Sequence, residues 1–124
     1  MHRIGVKRQF SAAHYLQGQA GKCSRMHGHT WEVEAVFKAG ELGTGGLVVD
    51  FADVGEALED AIEAFDHVCL NDVKPFDVVE PTAENVAREL FARLEDKSRP
   101  ASWQAELESV TVWESRGAWA SFTA

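Results

Sequence analysis

The stretch from His27 to Lys38 constrains the fold more than any other part of the chain, because its side chains alternate with period two. Trp31, Val33, Ala35 and Phe37 share one parity, while Glu32, Glu34 and Lys38 share the other. That alternation predicts a strand with an apolar face and a wet face, hence a sheet covered on one side only. His27 and His29 open the same strand two residues apart, so both rings point to one face. Gly28 between them lets another backbone or a ligand approach closely.

Imidazole is the commonest neutral metal ligand at physiological pH. His14 supplies a third ring, and three imidazoles with one position left for water or substrate is the arrangement of a catalytic zinc. A structural zinc would ask for four protein ligands, usually with paired cysteines. His14, His27 and His29 are therefore the candidate Zn²⁺ ligands; the bland alternative is three unrelated packed or polar histidines.

The other elements follow from the pattern. Ile4, Val6 and Arg8 to Phe10 alternate as a first strand leading into Ser11-Ala12-Ala13-His14. A Gly- and Gln-rich loop follows over residues 17–21, and residues 40–46 form a turn-rich connector ahead of a short extended piece, Leu47 to Phe51. Val54, Ala57, Leu58, Ala61, Ile62 and Phe65 make one helical stripe, and the carboxylates from Glu56 to Glu63 read as its solvated side. Asp66 to Asn71 reads as the exit from that helix. Pro81-Thr82 opens a second helix with Thr82 as N-cap, Glu84 in the positive first turn, and Val86, Ala87, Leu90, Phe91 and Leu94 buried. Leu107 to Trp113 and Ala118 to Phe122 form a closing hairpin around Ser115-Arg116-Gly117. The expectation is a single α+β domain over residues 1–124, with a four-stranded antiparallel sheet, two helices on one face and the order ββααββ.

Composition narrows the function. With 20 acidic against 12 basic side chains and a net charge of −8, no nucleic-acid partner is expected. A few local cations would still serve a phosphorylated small molecule. Two cysteines, Cys23 and Cys69, are too few for a disulfide framework and read as free thiols of a reducing compartment. The N-terminal residues lack the apolar run of a signal peptide, and no stretch is long enough to span a bilayer. A cytoplasmic protein with no membrane partner is expected.

Six stretches in order resemble the 6-pyruvoyl-tetrahydropterin synthase superfamily: Phe10-Ser11-Ala12-Ala13-His14, Cys23-Ser24-Arg25-Met26-His27-Gly28-His29, Val49-Asp50-Phe51, Phe65 to Asn71, Pro81-Thr82-Ala83-Glu84-Asn85 and Val112-Trp113-Glu114-Ser115. Three residues between Cys23 and His27 are similar to the 6-carboxy-5,6,7,8-tetrahydropterin synthase branch. Cys69 and the short loop from His14 to Cys23 depart from the commonest pattern. The resemblance implies the tunnelling fold (T-fold) and a homohexamer, a dimer of trimers with sites between subunits, which would also protect open strand edges. It implies a zinc-dependent lyase acting on 7,8-dihydroneopterin triphosphate. The products would be 6-carboxy-5,6,7,8-tetrahydropterin, acetaldehyde and triphosphate, on the route to queuosine and deazapurines.

The same resemblance assigns roles. Cys23 would be the acid/base thiolate, with Lys22, Arg25 and the zinc supplying the positive charge a thiol needs in order to ionise at neutral pH. Cys69, beside Val68 and Leu70, fits an inert thiol. His67 would relay protons with Cys23, oriented by Asp66, although neighbours on a strand point apart and the pair needs a turn to cooperate. Without the resemblance the two merely end a helix. Glu114 would accept from the amino group and ring N–H of a pterin, where the strand alone suggests a solvent-facing carboxylate. Thr82 and Glu84 would line the same pocket, though capping explains Thr82 equally well. Lys22, Arg25, Arg8 and Arg116 are the cations offered to the triphosphate. The alternatives are a 6-pyruvoyl-tetrahydropterin synthase, which eliminates triphosphate without cleaving the side chain, and a non-catalytic metal- or pterin-binding module.

Overall fold

A computed structural model describes residues 1–18 and 21–124, without the Lys22 side chain. Part of the 17–21 loop and the role offered to Lys22 therefore lie outside the described residues. Strand β1 (His2–His14) and strand β2 (His27–Ala39) pair antiparallel along their whole length, from His2 opposite Ala39 to His14 opposite His27. Strand β4 (Glu106–Ser115) joins the far side of β2, and β5 (Ala118–Phe122) closes the hairpin on β4.

The sheet differs from the expected one in a single, instructive way. Val68–Cys69 forms a two-residue strand β3 that pairs parallel with β1, Ala12 opposite Val68 and Ala13 opposite Cys69. The sheet is therefore five-stranded and mixed, in the order β3-β1-β2-β4-β5, rather than four-stranded and antiparallel. Backbone groups at the end of β1 take these partners from a segment that alternation cannot flag, because two residues carry no period.

Two helices cover one face, as the stripes predicted. Helix α1 (Phe51–Ile62) starts three residues before its apolar stripe, because the Asp50 side chain accepts from the Ala52 N–H at 2.8 Å and caps it. The expected extended piece over residues 47–51 is thus bend and cap, not strand. A 3-10 turn (Glu63–Phe65) continues α1 and brings Phe65 into the core. Helix α2 (Ala83–Ser98) is capped by Thr82, whose hydroxyl accepts from the Asn85 N–H at 3.1 Å.

The core lies between helices and sheet. Trp31, Val33, Ala35 and Phe37 of β2 are fully buried against Leu58, Leu90 and Leu94, and Phe10 stacks on Trp31 at 5.8 Å between ring centroids. Each large side chain so buried contributes about 1.5–3 kcal/mol. The other face stays polar: Lys7 pairs with Glu32 at 3.1 Å and lies over the Trp113 ring. Among the described residues, no helix is long and apolar enough to cross a membrane.

Candidate metal centre

The β1–β2 register that buries Trp31 also fixes the histidines. His14 ends β1 directly opposite His27, and His29 lies opposite Ala12 two residues further along β2. All three rings project from the helix-covered face, at 4.5 Å between the centroids of His14 and His27 and 4.8 Å between those of His27 and His29. Trp31 forms the floor. Its ring stands edge-on to His14 at 4.8 Å, and its indole N–H donates to the Ala12 carbonyl at 3.2 Å.

Backbone carbonyls set which ring nitrogen faces inward. The Nδ1 of His14 lies 2.7 Å from the Pro81 carbonyl oxygen, and that of His27 lies 2.7 Å from the Arg25 carbonyl oxygen. A carbonyl oxygen only accepts, so each Nδ1 carries a proton, and in the neutral ring the lone pair is on Nε2. Metal-ligating histidines are held in this way. His14, 0% exposed, and His29 leave their Nε2 atoms buried without a hydrogen-bond partner.

Glu114 completes the cluster. Its Oε1 is 2.9 Å from His14 Nε2 and 3.6 Å from His29 Nε2. The shorter distance is an ion pair only if the imidazole is protonated. With Nδ1–H committed to Pro81, a neutral His14 turns a lone pair toward a carboxylate, and a cation between them removes the repulsion. Burial pushes the His29 pKa below the ordinary histidine value, outweighing the upward pull of Glu114, with His14 and His27 pushing it down further. A neutral imidazole is the form a metal needs. The ligand atoms of His14, His27, His29 and Glu114 all lie within 4.8 Å of one another and could hold a metal ion.

Glu114 reaches this place by the parity of β4: Val110 and Val112 pair with Ala35 and Val33 on the helix-covered face, and Glu114 follows them two residues on, where β4 bulges against β5. On β5, Ala118 and Trp119 are consecutive, yet they pair with Ser115 and Trp113, which makes Glu114 the extra residue. Sequence reasoning gave Glu114 only to the substrate; the structure sets its carboxylate against the histidines of the same chain.

Asp66 and His67 form a separate pair. His67 has φ 60°, and this left-handed turn brings its Nδ1 within 2.9 Å of Asp66 Oδ1. The turn that the pair requires is present. Both residues are tied to β1, since the Ser11 N–H donates to Asp66 Oδ1 at 3.0 Å and the His67 N–H donates to the Ser11 carbonyl at 2.6 Å. The Ser11 N–H holds the Asp66 carboxyl below its usual range, helped by His67 and opposed by desolvation. The His67 ring itself is 81% exposed.

The remaining candidates are scattered. Cys23 lies exposed in a 3-10 turn (Gly21–Ser24), and among the described residues no hydrogen bond joins it to His67. Cys69 is the thiol that shares a groove with His67 and His29. Arg25 and Glu84 are exposed. Arg8 faces α1 instead of any phosphate, with its guanidinium packed on Gly55 and donating to Glu59 at 2.8 Å; the even parity that buries Val6 and Phe10 dictates this. Arg116 lines a cavity on the opposite, open face of the sheet with Lys7 and Trp113.

Two residues without an assigned role hold the centre's frame. The Asn71 side chain, largely buried, accepts from the Tyr15 N–H and donates to the Tyr15 carbonyl, each at 3.0 Å, and so pins the chain just after His14. Asn85 is the other. Both lie inside family-like stretches, which was the available signal.

The sequence profile of the family described as 6-pyruvoyl tetrahydropterin synthase matches residues 3–124. A putative 6-carboxy-5,6,7,8-tetrahydropterin synthase of Archaeoglobus fulgidus is 32% identical over 117 residues, covering 94% of this chain and 91% of that relative. The 6-carboxy-5,6,7,8-tetrahydropterin synthase of Haemophilus influenzae is 29% identical over 137 residues, covering 92% and 93%. The solved 6-pyruvoyl tetrahydropterin synthase of Caenorhabditis elegans superposes with a TM-score of 0.84 at 27% identity, covering 100% of this chain and 97% of that one. The chain belongs to the 6-pyruvoyl tetrahydropterin synthase family, among relatives named 6-carboxy-5,6,7,8-tetrahydropterin synthase.

Proposed function

We propose that this chain is a zinc-dependent lyase converting 7,8-dihydroneopterin triphosphate to 6-carboxy-5,6,7,8-tetrahydropterin, with release of acetaldehyde and triphosphate. The observation that carries the reading is the pair of Nε2 atoms, on His14 and His29, buried without a hydrogen-bond partner and 2.9 and 3.6 Å from one Glu114 carboxylate oxygen. The names of the relatives support the substrate class. Imidazoles with a carboxylate suit zinc among the common divalent ions.

His14, His27 and His29 would hold the ion. When bound, zinc acts as a Lewis acid that lowers the pKa of side-chain hydroxyls on the substrate. Glu114, more exposed than His14, would accept from the amino group and ring N–H of the pterin, and Thr82 and Glu84 would line that pocket. Asp66 stays ionised through the Ser11 N–H and holds the His67 Nδ1 proton, so that His67 Nε2 is free to take and return a proton. Cys23 is the second proton carrier. Among the described residues no hydrogen bond joins Cys23 to His67, and on this reading the site is completed between subunits of a homohexamer. Lys22 and Arg25 would supply charge for the triphosphate, while the net charge of −8 suits no nucleic acid. The enzyme works in the cytoplasm, upstream of queuosine.

The test is to incubate the zinc-loaded protein with 7,8-dihydroneopterin triphosphate and identify products by mass. Acetaldehyde with the carboxy product supports the reading. A pyruvoyl product without acetaldehyde assigns the chain to the other branch. Full zinc occupancy with no turnover makes it a binding module.

A further inference from the structure

His14 is the most buried candidate ligand, and its working geometry depends on one acceptor, the Pro81 carbonyl. Proline has no N–H, so this residue cannot anchor itself through a backbone donor. The neighbouring carbonyl, on Glu80, is bound twice: the Thr82 N–H donates to it at 2.9 Å and the Asn85 side-chain amide at 3.0 Å. Glu80 is also fixed through its side chain, which accepts from the Gln17 N–H at 3.0 Å. The carbonyl partner settles the Asn85 amide orientation, since an oxygen there would face another oxygen.

Helix capping accounts for the Asn85 N–H on the Thr82 hydroxyl. It does not account for the side chain, which reaches back past the cap to Glu80. We infer that Asn85 is a positioning residue for the metal centre: its amide locks the Glu80–Pro81 segment, and the locked Pro81 carbonyl holds His14 as the Nδ1–H tautomer with Nε2 turned inward. Asparagine is suited to the task because its short amide donates where an aspartate only accepts. The inference rests on the metal reading of the centre.

The test measures zinc dissociation from the purified full chain by competition with a chromophoric chelator, alongside the Co²⁺ absorption spectrum and the melting of the metal-free protein. Wild type is expected to bind one zinc per chain. Asn85→Asp is expected to weaken zinc 10- to 100-fold, the range found for groups that orient a ligand, and to alter the Co²⁺ bands. Asp50→Ala, which removes the α1 cap at the opposite end of β1 from His14, is expected to lower melting without moving zinc affinity. Asn85→Ala carries the same expectation as Asn85→Asp and serves if the aspartate variant fails to fold. Variants of Asn85 that bind zinc within twofold of wild type, with unchanged Co²⁺ bands, overturn the inference while leaving the metal reading intact. A wild type that takes up no metal overturns both.

Discussion

Replacing Asn71 by leucine should loosen the strand end that carries His14, and the cost can be worked from its contacts. The native amide makes two hydrogen bonds to Tyr15, one to the N–H and one to the carbonyl, both at 3.0 Å and partly buried. Each such bond is worth about 1 kcal/mol net, and leaving a buried partner unsatisfied raises the loss toward 2 kcal/mol. Leucine keeps the volume but abandons both Tyr15 groups, so the expected loss is about 2–4 kcal/mol. For a domain of this size roughly 3–5 °C of melting temperature accompanies each kcal/mol, giving a drop of about 6–20 °C. The assay is thermal unfolding of the metal-free protein followed by circular dichroism. Asn71→Asp keeps the acceptor, loses the donor and turns a charge toward the Tyr15 carbonyl, so it should melt no higher than Asn71→Leu. A drop below 2 °C for both variants would refute the claim that this amide pins the end of β1.

Three further outcomes are expected. Cys23→Ala should keep zinc and lose turnover, while Cys69→Ala should keep both, as metal analysis and product assays would reveal; the reverse pattern transfers the thiol role to the residue beside His67. His67→Gly should abolish turnover yet melt above His67→Ala by the equivalent of about 1 kcal/mol, because only glycine adopts φ 60° without steric cost, and equal melting would contradict the strained turn. The metal-free protein should lose stability as pH falls below the ordinary histidine value of 6.5. The His29 pKa is lowered in the folded state, so the unfolded chain takes up its proton first and acid favours unfolding; a melting temperature flat between pH 7 and 5 in His29→Gln but not in wild type would assign the effect to that ring.

What the sequence made legible was what local periodicity encodes. Alternation along β2 gave its buried face and set His27 and His29 on one side, and the helical stripe gave α1 and α2 with Thr82 as a cap. Pairing between distant segments was not legible. Val68–Cys69 is too short for a pattern and becomes a strand only because the end of β1 offers free backbone groups. Glu114 was given to the pterin, yet it shares the parity of Val110 and Val112, so its face was legible while its 2.9 Å approach to His14 needed the pairing of β4 with β2. Arg8 looked available to phosphate until the parity of β1 turned it under α1, where Gly55 leaves room for it. The carbonyls of Pro81 and Arg25, which orient two of the rings, are main-chain atoms that any residue would carry.

The most direct trial of the account is X-ray absorption at the zinc edge on the loaded protein, before and after addition of a non-hydrolysable analogue of 7,8-dihydroneopterin triphosphate. Three imidazoles should persist in both states, with the Glu114 oxygen replaced by one from the ligand. A carboxylate that stays bound beside three imidazoles in both states would make the metal structural and contradict the proposed chemistry.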